Sequence, residues 1–140
     1  DKIISKQVKN GVPILGICLG MQLLLSTSEE GNVTCLNLIP GKVKKLQTTV
    51  KVPQVGWNQV EIKNDSRMMR NIADNSYFYF VNSYICVPDD QSIISATTNY
   101  DQDFCSVFEK ENIFATQFHP EKSGKVGLQL LKKYWEVVCK

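Results

Sequence analysis

Residues 13–25 read PILGICLGMQLLL, and this stretch decides the fold. The apolar run Pro13–Ile17 predicts a strand, of the kind buried on both faces in a parallel sheet. It meets Gly16-Ile17-Cys18-Leu19-Gly20, the cysteine form of the nucleophile elbow G-x-S-x-G. Small residues on both sides of a nucleophile let the backbone turn sharply from strand to helix, so that the side chain stands exposed at the strand's end. A helix is expected over residues 19–27. Its N-terminal N–H groups lower a thiol pKa, and the N–H of Leu19 points where an oxyanion would develop.

Two plainer readings compete. A free cysteine in an apolar run is often just a small core residue. A lysine-containing start followed by an apolar run also resembles a secretory signal. However, the run is too short to span a membrane. Gly16, Gly20 and Gln22 interrupt it, and Ser26-Thr27-Ser28-Glu29-Glu30 follows where a small-x-small cleavage site would stand.

Outward from the elbow, residues 2–9 have the pattern of a helix with Ile3, Ile4 and Val8 on one side, ended by Asn10-Gly11. Helix, loop, strand, sharp turn and helix together signal an open α/β sheet. Ligands of such sheets bind beyond the carboxyl ends of the strands, where Cys18 lies. Residues 29–41 read as loop. Lys42–Leu46 and Gln59–Ile62 read as strands, with a turn-rich loop at Pro53–Asn58 between them. A short helix is expected at Met68–Ile72 and one long strand at Tyr77–Val87. Ile94–Thr98, Phe104–Glu109 and Ile113–Phe118 form three more strands joined by hairpin turns. An amphipathic helix runs from Ser123 to Val138, with Val126, Leu130, Leu131, Tyr134 and Val138 on one face. The expected fold is α/β: an open, mostly parallel sheet flanked by helices, with an added antiparallel region.

Composition narrows the function classes. With 140 residues, 43% apolar and 21% charged, the chain suits one domain with a real core. A net charge of +2 leaves no nucleic-acid footprint. Lys42, Lys44 and Lys45 read as the solvated side of a strand. The five cysteines, at 18, 35, 86, 105 and 139, form no C-x-x-C pair, and there is a single histidine, so neither a metal site nor a cofactor is expected. Reduced thiols suit a cytoplasmic protein. Neither a repeat nor a low-complexity tract is present. The chain begins with Asp1 rather than Met, as a fragment or a processed product would.

The single histidine begins His119-Pro120-Glu121. Pro120 drives His119 into an extended conformation, and residues i and i+2 of an extended segment point the same way. Glu121 can then hold one imidazole nitrogen and leave the other facing a nucleophile. Alone, His119 is a satisfied structural histidine beside a turn. With the elbow it completes a Cys18–His119–Glu121 triad.

GICLGMQ at 16–22 and FHPEKSG at 118–124 resemble the class I glutamine amidotransferases. PQVGWNQV at 53–60, SYFYFVNSY at 76–84 and IPGKV at 39–43 narrow the resemblance to the glutaminase subunits of imidazole glycerol phosphate synthases. It covers the chain from about Val12 onward. The resemblance implies that Cys18 attacks the side-chain amide of glutamine, that His119 moves the proton, and that Glu121 orients His119. It implies further that Leu19 donates to the oxyanion, that Gln22 contacts glutamine, and that the backbone of Ser83 and Tyr84 holds it. Trp57, Tyr79 and Lys122 then face the partner, a (β/α)8-barrel cyclase subunit in a heterodimer, which receives the ammonia for L-histidine biosynthesis. A paralogous glutaminase feeding a sugar-modifying synthase, a thiol hydrolase or isomerase without an ammonia acceptor, and an inactive fragment stand as alternatives.

Two positions depart from the family pattern: Asn82 and Gln54 stand where histidine is usual. A third departure is the start. The family carries several strands before the nucleophile strand, among them a P-G-V-G loop that donates a second oxyanion N–H. Residues 1–12 contain no such motif. The expectation is a single amidotransferase domain over 1–140 that lacks its N-terminal strands, with doubtful glutaminase activity by itself.

Overall fold

The computed structural model describes residues 2–139. In chain order these form α1 (Lys2–Lys9), β1 (Ile14–Ile17), α2 (Leu19–Leu23), β2 (Thr27–Ser28), β3 (Val33–Thr34), β4 (Gly41–Lys45) and β5 (Gln54–Ile62). There follow β6 (Ser76–Asn82), β7 (Tyr84–Pro88), β8 (Ile94–Asn99), β9 (Asp103–Lys110), β10 (Ile113–Thr116) and α3 (Gly124–Val138). The strands make one ten-stranded sheet in the order β3-β2-β4-β7-β9-β8-β5-β6, with β10 bridging β9 and β1.

The sheet is mixed and mostly antiparallel, which corrects the expected mostly parallel sheet. Only β1/β10 and β2/β4 run parallel among the described residues. The reason lies in the connections. From β4 onward, turns and loops return each strand beside its neighbour in the opposite direction, whereas parallel neighbours need longer crossover connections. The hairpin turns put Asp101 (φ 62°) and Glu111 (φ 55°) in the left-handed region. The strand bearing the elbow is likewise less covered than expected. Ile14, Leu15 and Ile17 are half-buried, and β1 pairs with β10 alone among the described residues.

Alternate residues of β10 divide the interior. Phe114 faces a core containing Phe78, Phe80, Phe104, Phe118, Met68 and Leu130. Ile113 and Ala115 face the other, with Val8, Met21, Leu24, Leu25, Val43 and Phe108. Helix α3 covers the first core through Leu130, Val126 and Tyr134. On the second, α1 and α2 contribute Val8 and Met21. Leu131 stays outside both. Ile3 and Ile4 are exposed, and Val8 is the buried residue of α1 among the described residues. Phe118 stacks on Phe78 with ring centroids 4.1 Å apart and meets Phe80 edge-on at 5.7 Å. Such pairs add about 0.5–1.5 kcal/mol beyond area burial, and they pin the residue immediately before His119.

Several predicted elements changed length. Helix α2 ends at Leu23 rather than at residue 27. The returning segment intercepts its carbonyls: Leu36 N donates to Leu23 O, Ile39 N to Leu24 O and Asn37 N to Leu25 O, at 2.8–2.9 Å. Residues 54–58 of the predicted loop belong to β5, because Gln54 through Val60 pair with β6. The predicted strand 77–87 breaks at Ser83 into β6, which pairs with β5, and β7, which pairs with β4 and β9. Residues 68–72 form turns, not a helix, although Met68, Met69 and Ile72 are buried. Lys42, Lys44 and Lys45 are exposed while Val43 is fully buried, as the alternation predicts.

Candidate active site

The parallel pair β1/β10 places both halves of the site at one end of the sheet. Ile17 stands opposite Thr116, and the Cys18 N–H donates to Thr116 O at 2.8 Å. Cys18 follows β1 directly, with φ 54° and ψ −107°, a conformation that non-glycine residues seldom adopt. Strain of about 1–3 kcal/mol at one residue persists only where its surroundings hold it. Gly16 is part of that hold. A Cβ built there would lie 2.8 Å from the carbonyl carbon and oxygen of Gly20 and 2.9 Å from Leu24 Cδ1. Gly20 differs: a Cβ there meets nothing within 4 Å in this chain. The elbow therefore needs its first glycine for close packing, whereas the second is not required by contacts of its own.

The Cys18 thiol is half-buried. Its Sγ contacts Val81 O at 3.5 Å and receives Gln117 Nε2 at 3.7 Å. Burial pushes the thiol above its ordinary value. The Leu19 N–H and Gln117 pull it down, and the Glu121 and Glu30 charges push it up. The expectation that the helix end lowers this pKa is thus only half met: the N–H acts as predicted but burial outweighs it. In this state Cys18 is a thiol that needs a base.

His119 lies just beyond β10 and is extended, with φ −98° and ψ 97°. Its Nδ1 is 2.8 Å from Glu121 Oε2. The contact was predicted, but its geometry differs from the predicted extended i, i+2 pair. Pro120 opens a 3-10 turn over 120–122, and that turn carries Glu121 back to the ring. The loop is clamped to β6. His119 N donates to Tyr79 O at 2.9 Å, Tyr79 N donates to Ser123 Oγ at 2.9 Å, and Ser123 Oγ donates to His119 O at 2.6 Å. Helix α3 presses on the loop from behind, so closely that a Cβ at Gly127 would overlap the Pro120 carbonyl. Among the described residues no hydrogen bond joins Cys18 to His119.

Of the residues carried over from the resemblance, Gln22 meets Tyr84 and, through Gln117, the thiol. Gln22 is buried, and its Nε2 donates to Tyr84 O at 3.2 Å and to Gln117 Oε1 at 3.3 Å. Ser83 O accepts from Leu46 N at 2.9 Å. Trp57 and Tyr79 are cross-strand partners with ring centroids 6.0 Å apart, and Trp57 is 54% exposed. Lys122 is exposed and its N–H donates to His119 O at 3.0 Å. The two departures from the family pattern touch each other: Gln54 Nε2 donates to Asn82 Oδ1 at 2.9 Å, and Asn82 Nδ2 donates to Tyr84 O at 3.3 Å. Sequence reasoning missed Ser123 and Gln117. The one signal for Gln117 is its amide group at the end of the mostly apolar run that leads to Phe118.

A cavity of about 570 Å³ lined by Lys2, Ser5, Lys6, Lys9, Asn10, Cys35 and Leu36 lies along α1, with neither Cys18 nor His119 in its wall. None of the helices is long and apolar enough to cross a membrane among the described residues.

The family model of class-I glutamine amidotransferases matches residues 2–136. The HisH subunit of imidazole glycerol phosphate synthase from Chlorobaculum tepidum is 51% identical over 139 residues, covering 97% of this chain and 69% of that protein. The HisH subunit of Chlorobium luteolum is 51% identical over 136 residues, covering 95% and 68%. The chain belongs to the class-I glutamine amidotransferases, among the HisH subunits. A solved glutamine amidotransferase from Thermotoga maritima shares the amidotransferase fold at TM-score 0.64 and 20% identity; the alignment covers 97% of this chain and half of that one. Within this amidotransferase, the elbow and the His119 loop are the parts that the sheet brings to one edge.

Proposed function

We propose that this chain supplies the glutaminase step of imidazole glycerol phosphate synthase in L-histidine biosynthesis, as a single cytoplasmic amidotransferase domain paired with a cyclase subunit. The observation that carries the reading is the strained Cys18 at the end of β1, in register with a strand that leads to a His119–Glu121 pair at 2.8 Å. The relatives are HisH subunits, which favours histidine biosynthesis over a sugar-modifying pathway.

In the proposed reaction, Cys18 Sγ attacks the side-chain carbonyl carbon of glutamine as the thiol proton passes to His119. Glu121, on Nδ1, keeps the other ring nitrogen free for that transfer. The Leu19 N–H stabilises the oxyanion. His119 returns the proton to the departing nitrogen, ammonia leaves, and water cleaves the glutamyl thioester to glutamate, restoring the thiol. Gln22 commits its Nε2 to Tyr84 and Gln117, so its Oε1 is the atom left to accept a hydrogen bond from substrate. The backbone of Ser83 and Tyr84 completes the glutamine site. Trp57, Tyr79 and Lys122 surround the His119 loop and form the face toward the (β/α)8-barrel cyclase.

Labelling with 6-diazo-5-oxo-norleucine, a glutamine-analogue electrophile, followed by peptide mapping tests this reading. The adduct is expected on Cys18 alone, and Cys18→Ala is expected to abolish glutamate release in the presence of the cyclase. An adduct on Cys35, Cys86, Cys105 or Cys139 in place of Cys18 would refute the assignment.

A further inference from the structure

A run of side-chain amides leads from β5 to the thiol. Asn58 Nδ2 donates to Gln54 Oε1 at 2.7 Å, Gln54 donates to Asn82, and Asn82 and Gln22 both donate to the Tyr84 carbonyl. From Gln22 the run continues to Gln117 and ends on Cys18 Sγ. Its direction follows from chemistry. A carbonyl oxygen only accepts, so Gln22 must turn its NH2 toward Tyr84. The same NH2 faces Gln117, which must answer with its oxygen and thereby aims its own NH2 at the sulfur. Gln117 is fully buried, and its backbone is held by a 2.9 Å bond from its N–H to Ser106 O. The side chain therefore has no solvent to turn to.

We infer that Gln117 is a positioning residue for the nucleophile: its carboxamide N–H holds the Cys18 sulfur and stabilises the thiolate once the proton has left, with its orientation set by Gln22 and the Tyr84 carbonyl. This rests on the reading of Cys18 as nucleophile. A donor on sulfur favours the charged form, and a buried thiol needs that help because burial opposes ionisation. The charged and titratable groups coupled to Cys18 from the packed elements are Glu121 beyond β10, Glu30 after β2, and Cys86 on β7. All of them remain in the variants below, so the comparison of the native protein with Gln117→Met isolates the donor.

The test is the pH profile of iodoacetamide alkylation at Cys18, read by mass spectrometry, for the native protein, Gln117→Met and Gln117→Glu. Exposed Cys139 serves as an internal reference. Removing the donor is expected to raise the Cys18 midpoint by about one pH unit, a tenfold lower rate below the midpoint, with Cys139 unchanged. Gln117→Glu, which places a carboxylate where the donor was, adds like-charge repulsion to that loss and is expected to shift it further. An unchanged midpoint in a variant that unfolds cooperatively overturns the inference. If neither Gln117 variant folds, Gln22→Met decides: it frees the Gln117 amide to rotate, so a smaller rise is expected, and an unchanged midpoint again overturns the proposal. The norleucine analogue separates the two readings. Failure to label native Cys18 refutes the glutaminase reading, whereas a shifted alkylation midpoint upholds Gln117 as the donor on sulfur in either case.

Discussion

The two arms of the site are built on opposite principles. The nucleophile arm stores its geometry in one residue: Cys18 is strained, and the close approach that lets the chain turn there lies nearby in sequence, Gly16 against Gly20 and Leu24, while Thr116 and Gln117 hold its N–H and its sulfur. The base arm carries no strain at His119. It is held instead by Tyr79, some forty residues away, through three hydrogen bonds that include Ser123. A nucleophile must present one atom in one direction, which a strained turn ensures. A base has to stay correctly placed beside the β5–β6 face, where Trp57 is half exposed and which is proposed to meet the cyclase. The difference teaches that the nucleophile's turn is made locally, whereas the base is placed entirely by the sheet.

Removing the chemistry of either arm has the largest expected effect. Cys18→Ala should eliminate glutaminase turnover, and Glu121→Ala should lower it by roughly 10⁴-fold, the scale seen when an orienting acid is lost from a triad. Steady-state glutamate release with the cyclase present measures both. Wild-type turnover in Glu121→Ala would sink the triad.

Next come the two close approaches. Gly16→Ala pushes against Gly20 backbone and Leu24, and Gly127→Ala pushes against the Pro120 carbonyl. Each is expected to cost about 1–3 kcal/mol in urea unfolding, as overpacking does. They should differ in function: Gly16→Ala displaces Cys18 and slows its labelling, while Gly127→Ala moves the His119 loop and leaves the nucleophile in place. Equal effects on Cys18 labelling would erase the distinction between the arms.

Ser123→Ala comes third. It strips the hydroxyl shared by Tyr79 N and His119 O and leaves a part-buried N–H without its partner. Destabilisation of about 1–2 kcal/mol is expected, with turnover falling more than Cys18 labelling. The smallest change is Gly20→Ala. With open space around its Cβ, it should stay within about 0.5 kcal/mol of the native protein. A loss as large as that of Gly16→Ala would show that the second elbow glycine packs against something outside this chain.

The cysteines offer a contrast that needs no mutation. Burial pushes the Cys105 thiol up to about 12. A raised pKa means that the thiolate forms only at correspondingly higher pH, so Cys105 should resist alkylation at pH 8 while exposed Cys139 reacts.

Much of this was legible in the amino-acid sequence because it is local. Gly16 and Cys18 within five residues require a sharp turn, His119-Pro120-Glu121 keeps acid and base together, and the apolar run before Cys18 demands a strand. The tertiary structure decided what depends on distant partners. The strand at 77–87 breaks at Ser83 because its two halves pair with different strands, and α2 stops early because residues 36–39 take its carbonyls. The sheet is mostly antiparallel because strand direction is set by how the chain returns, which apolar alternation does not encode. Gln117 became meaningful only once the fold set it against Cys18 and Gln22, since a buried amide's orientation is dictated by the carbonyl it faces and not by its neighbours in sequence.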